Sequence, residues 1–207
     1  MEQIKAVLFD LGGVLLDIDY QRPVEAFNKL NPIGFEQLYN KQRQADLFDK
    51  LETGKLTAQG FLKQLREWYP KQTDRDLISA WNSIILQFPD GQLDLVRRVR
   101  EHRPVYLLSN TNEIHEQHFN QLLQRQSPYK SLDELFDEIF LSHRIGLRKP
   151  DEQVFQFVLS KTGLDVGHVL FIDDSAQHIE AARAMGFRTH RLERIEHLRD
   201  VLATLLA

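Results

Sequence analysis

Four short apolar runs, each cut off abruptly by polar residues, constrain this chain more than anything else in it. They occupy residues 4–9, 105–108, 139–141 and 169–172. Runs of this length that are strongly apolar, rather than alternating, fit strands buried on both faces, as in a parallel sheet covered by helices. A fifth strand is expected at 188–192, where the pattern is more polar. Helical periodicity fills the gaps. In 92–101 it places Leu93, Val96 and Val99 on one face, and in 152–162 it turns Val154, Phe155, Val158 and Leu159 inward. A third helix, 176–185, stops at Gly186, a natural C-terminal cap. Strand and helix alternating in this order predict a doubly wound α/β fold with a parallel, Rossmann-like sheet.

The exception is the span 20–88, which carries several helical patterns and no strand signal. Pro23, Pro32, Pro70 and Pro89 punctuate it, and Glu52-Thr53-Gly54-Lys55 reads as a turn. It is read as a small all-helical unit inserted after the first strand, with 1–19 and 89–207 forming the core. An insertion there overhangs the carboxyl ends of the strands, where open α/β sheets bind ligands.

Composition narrows the function. Apolar residues make up 42% and charged residues 27%, with 13 Phe available for a core, which suits a globular protein. No run approaches the ~18 apolar residues of a membrane span, and Asp10 and Asp17 interrupt the one early apolar stretch that could resemble a signal peptide. The absence of cysteine excludes disulfides and cysteine zinc sites and suits a cytoplasmic protein. The net charge of −4 and the lack of a basic block argue against nucleic acid as a partner. Arg97, Arg98, Arg100 and Arg103 are interleaved with Asp94 and Glu101 and read as a solvated helix face. A monomer is the default expectation.

The chemistry lies where the strands end. Asp10 follows the first run, Ser109-Asn110 the second, and Asp173-Asp174 the fourth, while Lys149-Pro150 stands between the third run and a helix. Parallel strands bring their carboxyl ends to one edge, so these groups should converge. Each alone has an ordinary reading, because aspartate and serine after strands commonly cap turns and helices. Together they form a coherent set. Carboxylates suit a hard cation, hydroxyl and amide suit oxyanions, and one ammonium neutralises charge. Mg²⁺ keeps several waters, so two protein carboxylates suffice to hold it. With a lysine, such a pair serves phosphoryl transfer, where catalysis is mostly positioning and charge neutralisation. Asp10 can itself act as nucleophile.

Phe9-Asp10-Leu11-Gly12-Gly13-Val14-Leu15, Leu108-Ser109-Asn110-Thr111-Asn112, Arg148-Lys149-Pro150-Asp151 and Phe171-Ile172-Asp173-Asp174 resemble, in order and spacing, the four motifs of the haloacid dehalogenase-like hydrolases. The insertion stands where that family carries a helical cap. Within the family the chain is most similar to bacterial sugar-phosphate phosphatases of the glucose-1-phosphate phosphatase type. The resemblance implies a Mg²⁺-dependent phosphatase acting on a small phosphorylated metabolite. Asp10 would be nucleophile and metal ligand, and the Gly12 carbonyl a further ligand. Ser109 and Asn110 would bind phosphoryl oxygens, and Lys149 would neutralise charge between Asp10 and the phosphoryl group. Asp174 would bind the metal directly, and Asp173 would bind it or orient its waters.

Two positions depart from the family pattern. Gly12 stands where most of these phosphatases carry a second aspartate as general acid and base, so substrates with good leaving groups are expected to react best. Asp17 and Asp19 are candidates for the missing acid but read better as surface or hinge-capping groups. His178 stands where relatives often place Asp or Asn, and reads as a helix-surface residue or as a donor behind the metal loop. His115 and His118 lack a third ligand and are read as surface residues. Gln42, Arg43, Phe48 and Trp81 are candidates for substrate contact, with hinges expected near 17–20 and 88–91. A 2-haloacid dehalogenase, which also lacks the second aspartate, and a catalytically weak phospho-ligand or protein-binding module stay open as alternatives.

Overall fold

The computed structural model describes residues 4–30 and 41–206, leaving aside the side chains of 41–46 and 204. Five parallel strands make the sheet, in the order β5-β4-β1-β6-β7: β1 (Ala6–Phe9), β4 (Val105–Ser109), β5 (Glu138–Leu141), β6 (Val169–Asp173) and β7 (Arg188–Arg191). Central β1, Ala-Val-Leu-Phe, is wholly buried and pairs Phe9 with Leu107 on one side and with Ile172 on the other.

Successive side chains of β1 point to opposite faces. Val7 and Phe9 join one core with Leu107 and Ile172, and Leu8 joins the other with Leu108 and Phe171. The first core is closed by α5 (Gln92–Arg100), α6 (Glu113–Gln126) and α10 (Leu198–Leu206), which bring Val96, Phe119 and Leu202. The second is closed by α8 (Glu152–Thr162) and α9 (Ala176–Ala184), through Val154, Phe155, Val158 and Ile179. A cluster of Phe155, Phe171 and Phe187, with ring centroids 5.5–6.4 Å apart, fills that layer. The fold is the doubly wound parallel α/β architecture that the four apolar runs predict.

The predicted helices appear within a residue of their expected bounds, and Gly186 takes φ +96° after α9. Two helices carried too little signal to be read. α6 starts where the Asn112 side chain accepts from the N–H groups of Ile114 and His115, and it buries Ile114, Phe119 and Leu123. α10 closes the chain. β7 is one of the two edge strands of the sheet, and three of its four side chains are exposed, which fits its polar sequence.

Among the described residues, four helices run between β1 and α5: α1 (Gln21–Leu30), α2 (Lys41–Glu52), α3 (Ala58–Trp68) and α4 (Asp74–Asn82). Thr57 caps α3, and Thr73 with Asp76 forms a reciprocal capping box on α4. The helices bury a core of their own around Phe27, Leu51, Phe61, Leu65 and Leu77, which the core helix α6 touches through Ile114. The span is not helical throughout. β3 (Ile85–Gln87) pairs antiparallel with β2 (Asp17–Ile18), so the two ends of the insertion are tied by a short ladder. Two- and three-residue strands fall below what periodicity can show.

Candidate active site

The sheet carries β1, β4 and β6 side by side, so the residues after them meet at one edge. The Asp10 N–H continues the ladder to Ile172 O at 2.9 Å, after which the chain turns back on itself, with Leu15 and Leu16 N–H both reaching Leu11 O at 2.8 Å. Asp10, Gly12, Ser109, Asn110, Lys149 and Asp174 line one cavity of about 660 Å³. The sequence groups these residues by strand ends, and the fold brings them together.

Lys149 is the hub. Its side chain is fully buried, with Nζ 2.7 Å from Asp10 Oδ1 and 2.6 Å from Asp173 Oδ2, and it sits 5.5 Å from the centre of the Phe171 ring. Burial works against its charge, but the two carboxylates outweigh burial and hold it protonated. Asn110 fixes its backbone from both sides. The amide Nδ2 donates to Lys149 O at 2.8 Å, and Oδ1 accepts from Lys149 N at 2.9 Å. The Asn110 side chain is therefore committed to positioning Lys149. Ser109, buried at the end of β4, lines the cavity.

The paired aspartates divide. Asp173 is fully buried and does not line the cavity; it accepts from Lys149, from Ser175 N at 2.8 Å and from His178 Nδ1, 3.0 Å from both oxygens. Burial raises its pKa, yet Lys149 and His178 outweigh burial and keep Asp173 ionised, down at about 2. His178 is thus a partner of the site and not a residue of the helix surface. Asp174 faces the cavity, and burial followed by the charge of Asp173 pushes its pKa upward. It lies against Gly13, where φ is +73° and a Cβ would collide with the Asp174 carboxylate.

Burial pushes Asp10 up to about 7, opposed by Lys149 and reinforced by Asp173 and Asp174. One ammonium thus faces three carboxylates whose oxygens lie within 4.8 Å of one another. All the donors are hard oxygens, and the charge imbalance is what a divalent cation would correct. The residues fit Mg²⁺.

Several cavity residues were not singled out as site residues from sequence. His115 is not a surface residue. It stacks on Trp81 at 4.9 Å and 16°, with Nδ1 3.1 Å from Asn112 Nδ2 and Nε2 3.2 Å from Trp81 O. Burial pushes it down to about 4, so it is neutral. His118 is half-buried and off the cavity. Trp81 also stacks on Phe48 at 4.8 Å and 19°, and these two, expected from sequence as substrate-contact candidates, both line the cavity. Tyr20, Glu52 and Arg148 complete that side. Gln42 and Arg43 stand in α2, and their side chains lie outside the described part of the structure. Asp17 belongs to β2, and Asp19 caps α1 by accepting from Gln21 N at 2.8 Å; neither lines the cavity. Sequence spacing gave no signal for Glu52 and Arg148, because only the packing of the insertion onto the core brings them together.

Fold and site together define an α/β hydrolase with an inserted helical unit over a carboxylate-lysine centre. The chain belongs to the haloacid dehalogenase-like hydrolases: the family model matches residues 4–186. It is 32% identical to a D-ribitol-5-phosphate phosphatase of Bacteroides thetaiotaomicron, over 98% of both chains. Among solved structures, it superposes on a HAD family enzyme of B. thetaiotaomicron in complex with magnesium and inorganic phosphate, with a TM-score of 0.78 and 35% identity, covering 91% of this chain and 93% of that one. A predicted HAD-like hydrolase of Porphyromonas gingivalis superposes with a TM-score of 0.87 at 25% identity, covering 99% of this chain and 98% of that one.

Proposed function

We propose that the protein is a Mg²⁺-dependent phosphatase that hydrolyses a small phosphate monoester of the sugar or polyol class, through an aspartyl-phosphate on Asp10. The observation that carries this reading is the contact of Lys149 Nζ with Asp10 Oδ1 at 2.7 Å, inside a cluster completed by Asp174. Lys149 offsets the negative charge of an approaching phosphoryl group, and it orients the Asp10 oxygen that would attack phosphorus. Asp10, Asp174 and the Gly12 carbonyl would hold Mg²⁺, which when bound neutralises phosphoryl charge. The Ser109 hydroxyl would donate to a phosphoryl oxygen, while Asn110 and Asp173 hold Lys149 in position.

The substrate class rests on the ribitol-phosphate phosphatase, matched along its whole length, and on the cavity wall. Trp81 and Phe48 give that wall a stacked pair of aromatic rings beside the polar centre, a surface suited to the carbon skeleton of a sugar or polyol. Residues 20–88 act in this reading as a cap over a core formed by 1–19 and 89–207, and the cap selects the leaving group. Phosphate release from a panel of sugar and polyol phosphates, with Mg²⁺ and with EDTA, tests it. Turnover that needs Mg²⁺ is expected. Halide release from 2-haloacids without metal, and no phosphate release, would replace it with the dehalogenase reading.

A further inference from the structure

An acid is missing from the place where this chemistry needs one. Position 12 is glycine, and a Cβ there would meet Ile18 Cδ1 at 2.9 Å, so a side chain at this position would require Ile18 to shift. Departure of an alkoxide from phosphorus without a proton donor costs about 10²–10⁴-fold in rate. Other titratable groups around the cavity are committed elsewhere. His115 is neutral, with both ring nitrogens facing partners. His178 is bound through Nδ1 to Asp173. Tyr20 is pushed up to about 12 by burial, with the nearby carboxylates adding to it. Asp19 caps α1 outside the cavity.

Glu52 is differently placed. It is the last residue of α2 and lines the cavity that holds Asp10, with Oε2 buried and in no aligned hydrogen bond. Two contacts with the core hold it there. Oε2 lies 3.0 Å from Arg148 Nη2, on the residue next to Lys149. Two residues on, Gly54 at φ +67° lets the turn press against the carbonyl of His143, where a Cβ would collide. Arg148 also pairs with Asp49, one turn back on α2, so its charge is shared between two carboxylates. The charged and titratable groups facing Glu52 are Arg148, Lys149 and Tyr20. Burial pushes Glu52 up to about 7, against the pull of Lys149, which is the range that serves an acid and base near neutral pH.

We propose that Glu52, delivered by the insertion, replaces the carboxyl group absent at position 12. The inference rests on the phosphatase reading. As Asp10 Oδ attacks phosphorus, the bond from phosphorus to the ester oxygen breaks, and its electron pair stays on that oxygen. The proton of Glu52 passes to it, releasing the alcohol and leaving Glu52 ionised. In the second half Glu52 takes a proton from the water whose oxygen attacks phosphorus. The bond to Asp10 breaks with its electron pair returning to the carboxylate, and phosphate leaves with Glu52 protonated again. A restriction to good leaving groups, expected from Gly12 alone, then disappears. Glucose-6-phosphate should be no worse a substrate than glucose-1-phosphate on account of its leaving group.

The test is a leaving-group series with Mg²⁺: p-nitrophenyl phosphate, phenyl phosphate and glycerol 3-phosphate, on wild type, Glu52→Gln and Glu52→Asp. Glu52→Gln should lose about 10²–10⁴-fold in kcat on the alkyl ester and less than about tenfold on the nitrophenyl ester. Wild type should decline in rate on the alkyl ester above pH 7 and Glu52→Gln should lose that decline, while Glu52→Asp should recover part of the rate. Retained nitrophenyl turnover shows that the variant folds. An equal loss on all three esters, or no loss on any, overturns the role of Glu52 and leaves the phosphatase standing. Absence of phosphate release in wild type removes the phosphatase reading and this inference with it.

Discussion

Lys149 shows how much a single buried side chain can hold in place. Its ammonium is fully enclosed yet contacts Asp10 and Asp173 at 2.7 and 2.6 Å, so burial is matched by two charge-assisted bonds. Lys149→Met should leave both carboxylates uncompensated. Metal-free protein is expected to lose about 3–5 kcal/mol in urea unfolding, and turnover should fall at least about 10²-fold. Unchanged stability would mean the cluster is not ionised as described. His115 supplies a pH test away from the metal ligands. It is neutral when folded down to about pH 4, whereas an unfolded histidine charges near 6.5. The unfolded chain therefore binds the extra proton between those values, and stability falls as pH drops from 6.5 towards 4. His115→Phe, which keeps the ring on Trp81, should lessen the loss between pH 7 and pH 4.5 by about 2–3 kcal/mol relative to wild type. Equal pH slopes in the two proteins would contradict this.

At the scale of elements, the loop after β1 and the turn after α2 are the parts that position the site. Gly13 occupies the left-handed region where Asp174 leaves no room for a side chain. Gly13→Ala is expected to cost about 1–2 kcal/mol in backbone strain and to weaken Mg²⁺ binding by displacing Asp174, measured by titration calorimetry. Wild-type affinity in that variant would show that Asp174 is not a ligand. The elements also show what a sequence can reveal. β1, β4 and β6 were readable because strands buried on both faces must be apolar throughout. β7 was faint because three of its four side chains are exposed at its edge of the sheet. α6 was missed although Asn112, Ile114, Phe119 and Leu123 carry its cap and its buried face, because polar residues dilute that stripe. β2 and β3 are too short for any period to appear.

For the whole molecule, the groups that converge through the sheet were legible, and those that converge through the insertion were not. Asp10, Ser109 and Asp174 follow from strand order, since parallel strands share a carboxyl edge, and Lys149 joins them from the loop before α8. Glu52 and Arg148 are 96 positions apart and meet only because the turn at Gly54 packs against the core. The roles of Asn110 and Asp173 also needed the structure, which shows their side chains engaged with Lys149. No helix among the described residues is long and apolar enough to cross a membrane. The central claim, that Asp10 is the atom donor to phosphorus in a metal-assisted site, is tested most directly by one assay. Phosphate release is measured with Mg²⁺ and with EDTA for wild type and Asp10→Asn, using the best substrate of the panel. The account predicts turnover in wild type that EDTA abolishes, and no turnover in Asp10→Asn at equal folded concentration. Phosphate release that survives Asp10→Asn would contradict it.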